Sequence, residues 1–269
     1  MTPKRILQTL TPPLLWNLAK ACKRRVFASV DHMAYAPRGW ATPLPGGIDR
    51  HAYWASLIDR ERAVYERLVT RAQSGAALLE VHGDGDITLA VFGYVLALTA
   101  RAKDRMMVLD YGGNLGEYYW LAKAMVPGVT FDYHCKELPA VAKSGREINA
   151  AVTFHSDDSC FDRSYDLVMF IGSMQYLPDW QEVLRRAAKA AGSYLLLCNV
   201  ATVKEVASYV ATSRSSGVTT LQIQLNRDDV VTTVERAGLR LMRELTMGAH
   251  PPVANAPEQP AYTGWLFQR

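Results

Sequence analysis

The sequence predicts an α/β protein whose core is a doubly wound, mostly parallel sheet. From Arg105 onward, short apolar runs alternate with stretches of helical periodicity such as 117–126 and 180–191. The runs are apolar throughout, which is typical of strands that are buried on both faces. Strands that alternate with helices in this way indicate a parallel sheet that is covered by helices.

The predicted strands follow one another along the second half of the chain. Five of them precede residue 200, at 106–110, 129–133, 151–155, 165–171 and 193–198. A helix at about 227–237 and an apolar segment at 239–245 come next, and the strand-like Tyr262–Phe267 is last. These last two apolar segments suggest an antiparallel pair that closes the sheet.

The chain before Arg105 has helical character. Residues 49–72 and 88–101 have helical spacing of apolar side chains, whereas 36–49 is rich in proline and glycine and predicts a loop at a boundary. We therefore predict an N-terminal helical and loop extension at 1–48, a helical cap at 49–103 and a nucleotide-fold domain at 104–269.

The charge, the cysteines and the apolar runs of the sequence limit which partners and which cellular compartment are expected. The net charge is +4 without a long basic run, which argues against nucleic acid as the main partner. Four separated cysteines without a CxxC pair predict neither disulfides nor a zinc framework, and they fit a reducing cytoplasm. No apolar run predicts a transmembrane helix or a signal peptide.

Residues 1–30 leave two interpretations open. Leucines recur at helical spacing there, among six lysines and arginines. Such a segment forms either a helix that packs on the domain with a solvated basic face, or an interfacial helix that touches anionic lipid.

The glycine-rich loop after the first predicted strand is the strongest functional signal. Gly112, Gly113 and Gly116 surround Asn114 between a strand and a helix, where glycines allow a sharp turn and a close approach of backbone N–H groups to a ligand. Asp110 stands at the strand tip, where a carboxylate suits the ammonium group of an amino-acid cofactor and would repel a pyrophosphate. The loop therefore favours S-adenosylmethionine (SAM) over a dinucleotide.

Three further segments fall where a cofactor would touch the carboxyl ends of the strands. Glu137 ends the second strand, about twenty residues after the loop, where a carboxylate binds ribose hydroxyls. Asp157 and Asp158 follow the third strand, where one of them can accept a hydrogen bond from the adenine amino group, although a simple acidic turn is also consistent with the pattern. Ser173 and Gln175 follow the fourth strand and are placed to meet the methionine part or the acceptor.

With these residues in view, the chain resembles a bacterial family of SAM-dependent methyltransferases over roughly residues 50–269. The resemblance rests on Leu109–Gly116 with Tyr119, Lys136–Pro139, Met174–Leu177 and Gly264–Phe267. It implies a seven-stranded, Rossmann-like methyltransferase sheet, SAM as cofactor and an acceptor from polysaccharide or secondary metabolism. The chain departs from the family at Asn199–Thr202, where the family tends to have Arg-Thr-Pro.

A general base would help if the methyl acceptor is a hydroxyl group. The candidates are His155, beside the acidic pair, and His82, in a glycine-broken loop ahead of the sheet, with His134 a weaker one. His82, Asp84 and Asp86 also have the spacing of a metal cluster in an extended segment, although without a fourth ligand we predict no metal site.

Three hypotheses follow from the sequence. The first is a methyltransferase that acts on a hydroxyl of a small molecule or glycan. The second is a catalytically inactive SAM-binding scaffold or regulatory partner in a biosynthetic complex, suggested by the segment at Asn199. The third is an NAD-dependent oxidoreductase, which Asp110 disfavours, and the fold alone does not separate the three.

Overall fold

The computed structural model describes residues 32–44, 55–74, 86–215 and 218–269. The predictions for residues 1–30, for the loop around Gly46 and for His82 and Asp84 lie outside these ranges. Of the four cysteines, Cys22 also lies outside them, and the other three are buried and unpaired.

The described residues contain eleven strands and six α-helices. The strands are β1 (His32–Tyr35), β2 (Arg105–Tyr111), β3 (Thr130–Lys136), β4 (Thr153–His155), β5 (Tyr165–Ile171), β6 (Ala191–Val203), β7 (Tyr209–Ser215), β8 (Val218–Asn226), β9 (Arg240–Gly248), β10 (Val253–Ala254) and β11 (Ala261–Gln268). The helices are α1 (Ile58–Ser74), α2 (Asp86–Ala100), α3 (Glu117–Met125), α4 (Pro139–Ile148), α5 (Trp180–Ala190) and α6 (Arg227–Arg236).

Seven strands form the central sheet, in the order β4-β3-β2-β5-β6-β11-β9. The first five run parallel to one another, and β11 runs antiparallel to both of its neighbours, β6 and β9. This arrangement confirms the predicted doubly wound, mostly parallel sheet and its antiparallel closing strand.

Helices cover both faces of this sheet, and each face has its own apolar core. One core joins α5 and α6 to the sheet through side chains such as Leu184 and Val230. The other joins α2 and α3 through Phe92 and Leu121. A smaller cluster of Tyr65, Leu115 and Val141 packs α1 over α3 and α4, which places α1 above the glycine loop.

Four more strands extend the sheet at its carboxyl edge, and the sequence analysis did not predict them. Strand β6 continues past Asn199, and its last two residues pair with β8, which forms an antiparallel hairpin with β7. Strand β1 pairs with β7 and with β10. Residues 220–225 alternate polar and apolar side chains, which is a strand signal, whereas the four residues of β1 become a strand only by pairing.

Among the described residues, no helix combines the length and the apolar character that a bilayer-spanning helix needs.

Candidate active site

The glycine loop connects β2 to α3, and its shape depends on the buried carboxyl of Asp110. Asp110 is 1% exposed and accepts a hydrogen bond of 2.9 Å from the Tyr133 hydroxyl. A Cβ at Gly113 would lie 2.2 Å from a carboxyl oxygen of Asp110, so only glycine fits there. Burial raises the pKa of Asp110 well above its usual value, and the Tyr133 hydrogen bond opposes that rise. Asp110 therefore lies beneath the loop.

Gly112 brings the loop against the residue that follows β5. Its φ is +79°, and a Cβ there would lie 2.4 Å from the Cβ of Ser173. The Ser173 hydroxyl donates a hydrogen bond of 2.5 Å to the Tyr111 carbonyl. The carboxyl ends of β2 and β5 are thereby joined at the crevice where open α/β sheets bind their ligands.

Two glutamates from distant parts of the chain hold Asn114 in the loop. Glu137, directly after β3, accepts hydrogen bonds from the backbone N–H groups of Asn114 at 3.0 Å and Leu138 at 2.8 Å. Glu61, on α1, accepts one of 3.0 Å from the Asn114 side-chain amide. Asn114 has a φ of +54°, which these contacts stabilise.

A third glutamate, Glu117, opens α3 directly after the loop. Its Oε2 is buried and has no hydrogen-bond partner among the described residues. Burial raises its pKa to about 7, with the charges of Glu61 and Glu137 adding to the rise and backbone N–H groups opposing it. Glu137 also has a raised pKa, mainly because of burial. The loop is thus surrounded by carboxylates that favour a cationic ligand.

Asp157 and Asp158, the two acids after β4, differ in their positions and contacts. Asp158 accepts a hydrogen bond of 3.1 Å from the Tyr111 hydroxyl and lies 3.8 Å from the Lys136 ammonium. Asp157 is exposed and caps the following turn, where it accepts the Ser159 N–H at 3.0 Å. Of the two acids, only Asp158 faces the site.

These elements enclose a cavity of about 400 Å³ at the carboxyl ends of β2, β3, β4 and β5. That size falls in the usual range for small-molecule sites, roughly 300–1,000 Å³. The lining residues are Ile58, Glu61, Tyr111, Gly112, Asn114, Lys136, Glu137, Leu138, Pro139, Val141, Ser156, Asp158, Ser173, Tyr176, Leu177 and Asp179. Gly112, Asn114, Glu137, Asp158 and Ser173 are among the residues that the sequence analysis named.

Other residues named from the sequence do not line this cavity. Asp110 lies beneath the loop, Gly113 packs directly on its carboxyl group, and Gly116 turns the chain into α3 with a φ of +74°. Tyr119 packs edge-on against Tyr133, with ring centroids 5.8 Å apart. Gln175, in a short 3-10 turn after β5, is buried beside the cavity wall.

His155 also faces away from the cavity. Its Nε2 lies 2.8 Å from Nδ1 of His134, and the two rings are stacked. Burial lowers the pKa of both imidazoles. This position gives the hypothesis that His155 is the general base no geometric support, because a base must reach the acceptor proton. His82 lies outside the described residues.

Several residues that line the cavity were not predicted from the sequence. Glu61 looked like one charge among many on a surface helix, and only the packing of α1 on α3 brings it to the loop. Lys136 stands beside Glu137 at a strand end, so its position was a usable signal. Tyr111 lies within the glycine motif, whose functional signal came from its glycines and Asp110. Its ring stacks on Phe161 and Phe170.

A comparison with known protein families agrees with a cofactor site at the glycine loop. The sequence matches the family described as a methyltransferase domain over residues 53–242, which is more than half of the chain. No curated protein matches the sequence. The chain belongs to the methyltransferase-domain family and is a SAM-dependent methyltransferase, which decides against an NAD-dependent oxidoreductase.

Two solved structures illustrate the shared fold. An O-methyltransferase family protein from Burkholderia thailandensis has a TM-score of 0.52 and 19% identity, covering 82% of this chain and 63% of that protein. This chain therefore spans less than two thirds of that protein's length. Magnesium protoporphyrin IX methyltransferase from Synechocystis PCC 6803, solved with S-adenosylhomocysteine (SAH), has a TM-score of 0.50 and 14% identity, covering 82% of this chain and 100% of that protein.

Proposed function

We propose that this enzyme transfers the methyl group of SAM to a hydroxyl group of a small molecule or glycan. The observation that carries the proposal is the carboxylate-lined cavity between the glycine loop and the turn after β5. When bound, SAM supplies a methyl group activated on a sulfonium. The chain then has to bind the cofactor, orient the acceptor and exclude water.

The charges around the loop fit this cofactor. SAM carries an ammonium and a sulfonium, and the loop has the carboxylates of Glu61, Glu117 and Glu137 around it. The buried, unpartnered Oε2 of Glu117 offers an acceptor that a cation would satisfy. Asp110 has a positioning role in this proposal, because it lies under Gly113 and sets the shape of the loop.

The other parts of the cofactor find partners along the strand ends. Glu137 keeps lone pairs for ribose hydroxyls after it has accepted two backbone N–H groups. Asp158, with Tyr111 and Lys136, forms the end of the cavity that suits the adenine. Gly112 and Ser173 line the cavity where the glycine loop meets the turn after β5, and there the methyl group would face the acceptor.

The choice of a hydroxyl acceptor rests on the neutral wall of the cavity where the methyl group would face the acceptor. Ser173, Tyr176 and Leu177 form the wall, and the carboxylate of Asp179 lies exposed at its rim. An anionic acceptor would lie beside the Asp179 carboxylate without an opposite charge at this wall, whereas a hydroxyl needs only hydrogen-bonding groups. His82 stays the histidine proposed as general base.

The test has a binding arm and a transfer arm. Isothermal titration with SAM, SAH and NADH is expected to give micromolar binding of the first two, weakened at least about tenfold by Glu137→Ala, since hydrogen bonds to charged groups contribute about 1.5–3 kcal/mol. Exposed Glu147→Ala on α4 is the control.

Transfer of labelled methyl to a panel of hydroxyl, amine and carboxylate acceptors then identifies the acceptor class. Transfer confined to amines or carboxylates would refute methylation of a hydroxyl group. Binding of SAM without any turnover would favour the scaffold hypothesis.

A further inference from the structure

Three glutamines are buried where strand β8 of the sheet extension meets the turn Met174–Tyr176, behind the cavity wall. Gln175 is 5% exposed, Gln222 is 8% exposed and Gln224 is fully buried. We call them the buried amides. Gln222 donates a hydrogen bond of 3.1 Å to the hydroxyl of Tyr176, which lines the cavity. The extension therefore touches the wall where the methyl group would face the acceptor.

Two of the buried amides have side-chain atoms without partners. The Oε1 of Gln175 and both the Oε1 and Nε2 of Gln224 make no hydrogen bond to any described residue. A buried polar group left unpaired costs about 1–3 kcal/mol, and native proteins keep few such groups. Methionine would fill a similar shape without this cost, so the amides point to a ligand that pairs with them.

Topology places the three amides around one region. Strand β8 packs against the 3-10 turn Met174–Tyr176, and this turn also contacts β6. Gln222 and Gln224 share one face of β8, since side chains two residues apart in a strand point to the same side. The intervening Ile223 belongs to the apolar core. The polar face of β8 therefore adjoins the turn that carries Gln175 and Tyr176.

We propose that Gln175 and Gln224 form a subsite that recognises a neutral, hydroxyl-rich acceptor of the sugar type. The subsite rests on the proposed function and deepens it. A side-chain amide both donates and accepts, which matches hydroxyl groups that do the same. It offers no charge to compensate a buried ammonium or carboxylate, so acceptors that carry a charge at this position are disfavoured.

The first test measures stability and needs no acceptor. Gln175→Met and Gln224→Met remove unpaired groups and are expected to leave the thermal midpoint unchanged or raise it. Gln222→Met is the matched control on the same strand face. It breaks the bond to Tyr176 and is expected to lower the midpoint by about 2 °C, the shift for about 1 kcal/mol in a chain of this size. Equal losses in all three variants would show that the amides are already paired inside the protein, and would overturn the proposal.

The second test measures acceptor use. The probes are the methyl α-glycosides of glucose, mannose and rhamnose, with glucosamine and glucuronic acid as charged counterparts and labelled SAM as donor. Gln224→Met is expected to raise KM for the glycoside about fivefold, the effect of losing one hydrogen bond between neutral groups, and to change kcat less. Unchanged KM in Gln224→Met, or a wild type that prefers the charged sugars, would overturn the subsite.

A third measurement separates this inference from the proposed function. SAH affinity, measured by titration, is expected to stay within about twofold of wild type in the Gln175→Met and Gln224→Met proteins. Loss of SAH binding in the wild type would refute the cofactor site. Loss of SAH binding in these variants alone would assign the amides to the cofactor and overturn the acceptor subsite. If no glycoside is methylated, the stability comparison decides.

Discussion

At the scale of single residues, neighbours of the same chemical type have different tasks. Asp157 and Asp158 are adjacent acids, yet one caps a turn at the surface and the other lines the cavity beside Tyr111. A pattern of residue types does not separate them, because the direction of each side chain depends on the backbone of the turn. The structure makes the distinction testable.

We expect Asp158→Asn to weaken SAH binding about tenfold, since a hydrogen bond to a charged group contributes about 1.5–3 kcal/mol. Asp157→Asn is the matched control, and its affinity is expected to stay within about twofold because asparagine also caps well. Isothermal titration measures both. A larger loss in Asp157→Asn would reverse the assignment of the two acids.

The pKa of Glu117 predicts how stability depends on pH. Burial raises this pKa from 4.5 to about 7, so the folded protein binds the proton more tightly than the unfolded chain does. The resulting stabilisation is complete below about pH 4.5 and is lost as the pH rises through about 7. At higher pH the buried carboxylate is charged and unpaired.

We therefore expect Glu117→Gln to match wild type at pH 5 and to exceed it by about 2 to 3 kcal/mol at pH 8, since each pKa unit corresponds to about 1.4 kcal/mol. Urea unfolding at both pH values measures the difference. Saturating SAM is expected to narrow the gap at pH 8, since its cationic groups compensate the carboxylate. A gap that is the same at both pH values would contradict the assigned titration.

At the scale of elements, helix α1 acts as a clamp, by which we mean that it packs on α3 and holds the glycine loop through a hydrogen bond. It packs on α3 through Trp120, whose Nε1 donates to the Tyr65 hydroxyl at 2.9 Å, and it brings Glu61 to Asn114. The loop itself is encoded locally by its glycines. Its support comes from a helix about fifty residues earlier in the chain.

We expect Glu61→Ala to weaken SAM binding about tenfold, because the loop loses a hydrogen bond to a charged group and the cavity loses a carboxylate. Glu66→Ala, at an exposed position of the same helix, is the control and is expected to bind normally. Titration with SAM and SAH measures both variants. Equal affinities for Glu61→Ala and wild type would show that the clamp does not shape the site.

At the scale of the whole molecule, the last strand completes the sheet. Strand β11 inserts between β6 and β9, and its Trp265 is fully buried in the core beneath α5 and α6. The end of the chain thus joins elements that precede it by up to about seventy residues. Its loss is expected to affect the whole domain.

We expect Trp265→Ala to lower the free energy of unfolding by about 3–5 kcal/mol, the usual range for removing a large buried aromatic. Tyr94→Ala, on the exposed side of α2, is the control and is expected to change it by less than about 0.5 kcal/mol. Urea unfolding followed by circular dichroism measures both. A small effect of Trp265→Ala would mean that β11 is dispensable to the core.

Local signals in the sequence were sufficient to predict the central sheet and the glycine loop. Continuous apolar runs, helical periods and glycine spacing are local signals, and they predicted β2 to β6, β9 and β11 as well as Gly112, Asn114 and Glu137. Strand β8 carries a period-two signal over residues 220–225, whereas β7 has three apolar residues followed by four polar ones and carries none. The short strand β1 carries none either, because only its pairing with β7 and β10 makes it a strand.

Contacts between distant parts of the chain, in contrast, set which of the named residues face the cavity. They place Asp110 under the loop, turn His155 toward His134, and bring Glu61 to Asn114 and Gln222 to Tyr176. Periodicity encodes which side of an element is apolar, whereas the direction of a polar side chain depends on contacts between residues that are far apart in the chain.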